Sequence, residues 1–392
     1  MLNRRDTLKL FASMGIAGAA APLLSACTGS GGSGSGSNAP VRLAFIYPQS
    51  GAMQPMGDEM RAGFELYLQQ HNHLLGGRPA QVSYVNEGGS PSEGPAVVAG
   101  VLKGTGNTPP PDVIVGIGSS AVMAAVRDSI EKAQIPLIGA NGSPANLLSP
   151  KYIWRVSYVD GDAGGVLANY FNQRQIDHVY VYDDGSVDGK TEADAFRSTF
   201  KRTQSSQSGS MNQALNEIQN GNARVVVAAC NGAAASSFLK AYRNAGINLP
   251  LYGPGFLTEG FVVEDKSVAS AARDVYTVLN YAPDLDNDAN RQFASQYFGQ
   301  HPKSEPSTYA MASYDALNVL DRAISLIKDD VNAHTINSAL GGVGQFDSPR
   351  GQWQFNQSRT PQQTWYLRQF MKDGRVWQNN VIQRLDTPTL TA

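Results

Sequence analysis

The 392-residue sequence predicts an α/β protein built on two doubly wound sheets. Three observations lead there. Short apolar runs of strand character alternate with segments of helical spacing. The alternation stops and restarts near residue 160. The body, about 350 residues, exceeds what a single hydrophobic core encloses. In order, Val41 to Tyr47 is a buried strand closed by Pro48-Gln49-Ser50-Gly51, and Met60, Phe64, Tyr67 and Leu68 set a helix over 57–74. A strand over 81–85 and a helix over 93–103 run up to the break at Pro109-Pro110-Pro111. Asp112 to Gly116 is a strand, 121–132 a helix, and Ile135 to Gly139 the fourth strand.

The second series begins with a helix over 162–173 and the strand His178 to Tyr182, and continues through 224–229, 234–245 and 274–279. Helices over 288–300, 307–327 and 333–340 precede a run of short strands within 352–385, read as additions to the two lobes and not as a third domain. No internal sequence repeat is evident.

The first 27 residues read as an address. Arg4-Arg5 ahead of the apolar run Leu10 to Leu24 resembles a twin-arginine export signal, although Thr7 stands where that signal has an aromatic. The run is too short for a comfortable membrane span, and it ends in Leu24-Ser25-Ala26-Cys27, which resembles a bacterial lipobox with Cys27 as lipid acceptor. A Gly/Ser tether over 28–39 follows, suited to hold a folded body off a membrane surface. Cleavage before Cys27 would remove three basic residues and one acidic residue and move the formal charge from −2 to −4. That mild acidity argues against a nucleic-acid partner. The one further cysteine, Cys230, ends an apolar run and reads as a buried structural thiol.

Enzyme chemistry finds little support. Gly116-Ile117-Gly118-Ser119-Ser120-Ala121 imitates a dinucleotide fingerprint but follows the third strand, and no carboxylate ends the next one. Gly185 to Thr191 imitates a P-loop one residue short, among Asp183, Asp184 and Asp188. His71 and His73, two apart on the expected helix, point in different directions, and no metal-ligand spacing occurs. The reading is therefore of a protein that is not an enzyme and has no cofactor or metal. A binding site fits better: Ser119 and Ser120 open a helix, and Asn141-Gly142-Ser143 end the neighbouring strand, at the carboxyl edge where open α/β sheets take ligands. Free backbone N–H groups and hydroxyls there suit a carboxylate.

From about Val41 to Leu385 the chain resembles the leucine/isoleucine/valine-binding proteins, of the type I periplasmic binding protein fold. The landmarks are Ser50-Gly51 with Gly57, Gly116 to Ser120, Ile135 to Ser143, Arg155 to Asp162, Tyr252-Gly253-Pro254-Gly255, Tyr309 to Leu317 and Phe346 to Gly351. The resemblance implies two Rossmann-like lobes joined by a hinge, lobe one holding 40–160 and 282–365 and lobe two 161–281 and 366–392. It implies an extracytoplasmic, membrane-anchored, monomeric protein that closes on a small amino acid or related organic acid or amide and delivers it to an ABC permease. By position, Ser120 and Ser143 match residues that hold the ligand carboxylate, Asn141 and Gly142 match groups facing the ammonium, and Tyr309 matches a wall aromatic. Asn231, Met56, and Val187 or Asp188 stand where that family has aromatics, with Phe256 closing from lobe two. Gly255 replaces the acid that pairs with the ammonium, so that Asp183, Asp188 or Glu259 substitutes for it or the ligand lacks the ammonium. A ligand sensor of the same fold and an exported nucleotide-binding enzyme are the alternative readings.

Overall fold

The computed structural model describes residues 39–104, 108–147, 149–374 and 376–385. The export signal, Cys27, nearly all of the tether and the last seven residues lie outside them. The first half runs β1 (Val41–Tyr47), α1 (Gln54–Gln70), β2 (Leu74–Leu75), β3 (Arg78–Asn86), α2 (Gly94–Lys103), β4 (Val113–Gly116), α3 (Ser120–Ala133), β5 (Leu137–Gly139) and β6 (Ile153–Arg155). These strands form one sheet in the order β2-β3-β1-β4-β5-β6, parallel except where β2 pairs with β3. β1 and β4, the central strands, are apolar along nearly their whole length because helices cover both faces.

The chain then crosses to a second sheet through α4 (Asp162–Gln173), β7 (Val179–Asp183), α5 (Val187–Thr199), β8 (Gln204–Ser208), α6 (Met211–Asn220), β9 (Val225–Ala229), α7 (Gly232–Asn244), β10 (Leu251–Pro254), α8 (Lys266–Ala271) and β11 (Tyr276–Leu279). It returns for α9 (Asp288–Gln300), α10 (Thr308–Ser325) and α11 (Ala333–Leu340), and Leu317, Leu320 and Ile324 of α10 share a core with Phe64 and Tyr67 of α1. After the small ladder β12 (Gln354–Phe355) with β13 (Pro361–Gln362), it ends in β14 (Trp365–Asp373) and β15 (Val376–Leu385). The second sheet runs β15-β14-β11-β10-β9-β7-β8, and β14 pairs antiparallel with β11, Leu279 opposite Tyr366.

Two parallel sheets, each wound on both sides, are thus joined by chain segments near 156–161, 280–287 and 356–364. The segments are tied to one another: the Arg155 N–H donates to the Arg359 carbonyl at 3.0 Å, and the Asn280 amide donates to Gln363 Oε1 at 2.8 Å. Side-by-side crossings of this kind permit rotation of one lobe on the other with small changes in each segment.

Two expectations are corrected and one is borne out. The first helix covers 54–70, not 57–74: Pro55 fits its first turn, and Asn72 and His73 take left-handed φ of 52° and 56°, which a helix excludes. His71 and His73 therefore lie in the turn after the helix. The strands expected to be short within 352–385 include two of nine and ten residues, long because they complete a sheet. Cys230 is buried, and burial pushes its thiol well above the usual range.

Candidate functional site

The carboxyl ends of the two sheets enclose a cavity of about 50 Å³. The first lobe lines it with Met56, Gly118, Ser120, Asn141 and Tyr309, and the second with Asp188, Glu192, Asn231 and Phe256. The crossing segment adds Ser157, Tyr158 and Asp160. A larger cavity of about 560 Å³ lies between α2 and strands β1 and β3, walled by Leu43, Val85, Val97 and Val101. It belongs to one lobe only, so lobe closure does not act on it, and the smaller cleft is the candidate site.

Local structure explains the placement. Ser120 begins α3 directly after the β4 turn, and Ser119 is its N-cap, accepting the Val122 N–H at 3.4 Å. Tyr309 sits in the first turn of α10, whose N-cap is Ser307. Asp188 sits in the first turn of α5, capped by Ser186. Phe256 lies in a 3-10 turn that leaves β10.

Seven of the ten expected ligand-site positions line the cleft: Met56, Ser120, Asn141, Asp188, Asn231, Phe256 and Tyr309. Ser119, Gly142 and Ser143 do not. Ser119 is spent on the helix cap, Gly142 donates its N–H to the Ile117 carbonyl at 2.8 Å, and Ser143 is 0 % exposed. The Ser143 N–H donates to Ser120 Oγ at 3.0 Å, so its backbone shapes the site that its hydroxyl does not reach.

Several of the backbone donors expected to be free are taken. Glu87, directly after β3, accepts the Gly118 N–H at 2.6 Å and the Ser119 N–H at 3.0 Å. The Ser120 hydroxyl donates to Asp160. Asn141 donates to the Gly118 carbonyl at 2.7 Å. In the turn that imitates a P-loop, Asp184 accepts the N–H groups of Ser186 and Asn231 at 2.9 Å each.

Three carboxyl groups line the cleft. Burial lifts Asp160 to about 7 and Glu192 to about 8, and it raises Asp188 as well, with neighbouring Asp184 adding to the effect. Glu192 accepts the Gly161 N–H at 3.0 Å and the Gly164 N–H at 2.6 Å, holding α5 against the crossing segment. Sequence reading missed Asp160, Glu192 and Glu87. Asp160 stood within the landmark Arg155 to Asp162, but nothing in its spacing pointed to Ser120.

Of the three acids expected to replace one at Gly255, only Asp188 lines the cleft. Asp183 is buried and accepts from Ser208 and the Gly185 N–H; Glu259 pairs with Arg368 and accepts the Thr308 N–H. A Cβ on residue 255 would stand 2.4 Å from Leu279 Cδ1, so this backbone leaves no room for a side chain there.

Similarity to known proteins agrees with this geometry. A family described as periplasmic binding protein matches residues 40–375. A Brucella abortus protein named Leu/Ile/Val-binding protein homolog 6 is 22 % identical over 366 residues, covering 88 % of this chain and 92 % of that protein. A crystal structure of an ABC-transporter solute binding protein from R. palustris in complex with benzoate superposes with a TM-score of 0.79 at 24 % identity, covering 89 % of this chain and 97 % of the other. A branched-chain amino acid transporter substrate binding protein from Streptococcus pneumoniae in complex with isoleucine gives 0.76 at 20 % identity, covering 88 % and 99 %.

Proposed function

The chain belongs to the periplasmic binding protein family, and from that premise we propose that it is the extracytoplasmic solute-binding component of an ABC importer, taking one small organic molecule between its lobes. The observation that carries this reading is the cleft itself: side chains from both sheets meet over one cavity, beside three chain crossings that allow closure. The benzoate and isoleucine complexes of proteins with the same fold support a small ligand. In our reading Cys27 carries the lipid, the 28–39 segment is the tether, and the closed monomer docks on a permease. Among the described residues no helix is long and apolar enough to cross a membrane.

A thermal-unfolding screen against amino acids, aromatic acids, amines, amides and nucleotides tests the proposal. A ligand at a hundred times its Kd adds about 2.7 kcal/mol of stability. Stabilisation by a small organic solute, with contraction in small-angle scattering, is expected. Stabilisation by nucleotides alone would replace solute uptake with the enzyme reading.

A further inference from the structure

We propose that the cleft selects a small organic cation, a protonated amine on an apolar or aromatic body, with no carboxylate of its own. The inference rests on the reading of this cleft as the solute site, and three observations carry it.

First, several of the groups that would hold an anion are already engaged within the protein. Glu87 takes the Gly118 and Ser119 N–H groups at the end of β4, Asp160 takes the Ser120 hydroxyl, and the Ser143 N–H is spent on Ser120 Oγ. A ligand carboxylate at the Gly118 and Ser119 N–H groups would have to displace Glu87.

Second, the lining is one-signed. Asp160, Asp188 and Glu192 line the cavity, and no Lys, Arg or His does. Arg155 acts on Asp160 from behind the wall, but its Nη1 donates to the Pro144 carbonyl at 2.9 Å and its Nη2 to the Ser358 carbonyl at 3.4 Å. In a cleft that excludes water, like charges are weakly screened, so a second carboxylate is repelled and an ammonium is attracted.

Third, Tyr158, Phe256 and Tyr309 share the lining with the acids. Aromatic rings beside carboxylates form a favourable surround for an alkylammonium, because the ring faces add attraction without needing a hydrogen bond. Tyr309 is 5 % exposed, and no described residue hydrogen-bonds its hydroxyl, which leaves that oxygen to accept from a ligand N–H. The raised Asp160 and Glu192 carboxyls fit as well: an arriving cation favours their ionised form, and an arriving carboxylate opposes it.

The test is calorimetric titration of the full chain with skeleton-matched probes: isoamylamine, 4-methylvalerate and leucine, and benzylamine against benzoate. Each amine is expected to bind at least about tenfold more tightly than the carboxylate of its skeleton. Asp188→Asn should weaken the amines by about tenfold or more, and Asp188→Glu should restore most of the loss, which a merely structural role would not do. Benzoate or 4-methylvalerate binding as tightly as its amine, or leucine binding better than isoamylamine, overturns the cation inference and leaves solute binding standing. Silence from every probe also overturns it; the solute-binding reading falls with it only if the wider thermal screen is flat too.

Discussion

Arg368 and Glu259 form an ion pair of 2.9 Å with both side chains closed to solvent, 0 % and 3 % exposed. The guanidinium also donates to the carbonyls of Tyr281 and Gly255 and to Thr277 Oγ1, and Glu259 accepts the Thr308 N–H at 2.6 Å. One pair thus joins the turn after β10, strand β11, a lobe crossing and the start of α10. Arg368→Met leaves Glu259 buried without its cation, and we expect a loss of about 3–5 kcal/mol in urea unfolding. A loss below about 1 kcal/mol would mean that Glu259 has another partner or reaches water.

Helix α4 approaches α5 so closely that a Cβ on Gly164 would lie 2.1 Å from the Glu192 carbonyl oxygen. Gly164→Ala must therefore push α5 outward, costing about 1–3 kcal/mol. Because Asp188 and Glu192 ride on that helix, ligand affinity should fall together with the melting temperature. Full affinity in a destabilised variant would show that the displacement stays away from the cleft.

Glu59 of α1 is buried beside the turn 260–263, near Glu259 and Glu264, and burial raises it to about 8. Ser307 and the Phe261 backbone pull it the other way, while Glu259 and Glu264 add to the rise. The folded state holds this proton more tightly than the unfolded chain, so the stabilisation is full below about pH 4.5 and is lost progressively as pH rises through about 8. Glu59→Gln should flatten that decline, leaving the variant the more stable form at pH 9. An unchanged pH profile in the melting temperature would locate the titration elsewhere.

Cation binding should depend on pH through the cleft. Asp160 faces Ser120, Asp188, Asp162 and Arg155, and it rises to about 7; Glu192 faces Gly161, Gly164, Asp160 and Asp162, and it rises to about 8. Arg155, lowered to about 10, keeps its charge throughout. A bound ammonium favours the ionised carboxyls, so benzylamine affinity should climb between pH 6 and pH 8 with net proton release. Titration in two buffers of different ionisation enthalpy measures that release; zero release would mean the acids are already charged before binding.

The winding order was legible because each central strand is a solid apolar run and each covering helix carries a stripe. Strand β8, Gln204 to Ser208, was not legible: it lies at a sheet edge, has no buried residue, and reads as a polar loop. The three residues of β6 are too few to show any period. At the site, Ser120 and Asn141 could be placed by their positions at a helix start and a strand end, and Asp188 only by the family resemblance. What the line of residues could not reveal was occupancy. Glu87 meets Gly118 across 31 positions, and Asp160 meets Ser120 across 40. Such encounters depend on how loops close in space and leave no periodic trace.

The pairing of β14 with β11 sets a condition on biosynthesis. Trp365 and Leu367 pack into the same core as Val179, Val181 and Val278, although they are made long after those strands have left the ribosome. Until β14 emerges, β11 presents an unpaired edge of the kind that recruits other chains. The second sheet therefore cannot be completed before residues 365–385 have been made. Whatever accompanies this protein out of the cell must either keep that edge covered during transit or receive the chain only after its final hairpin has been translated.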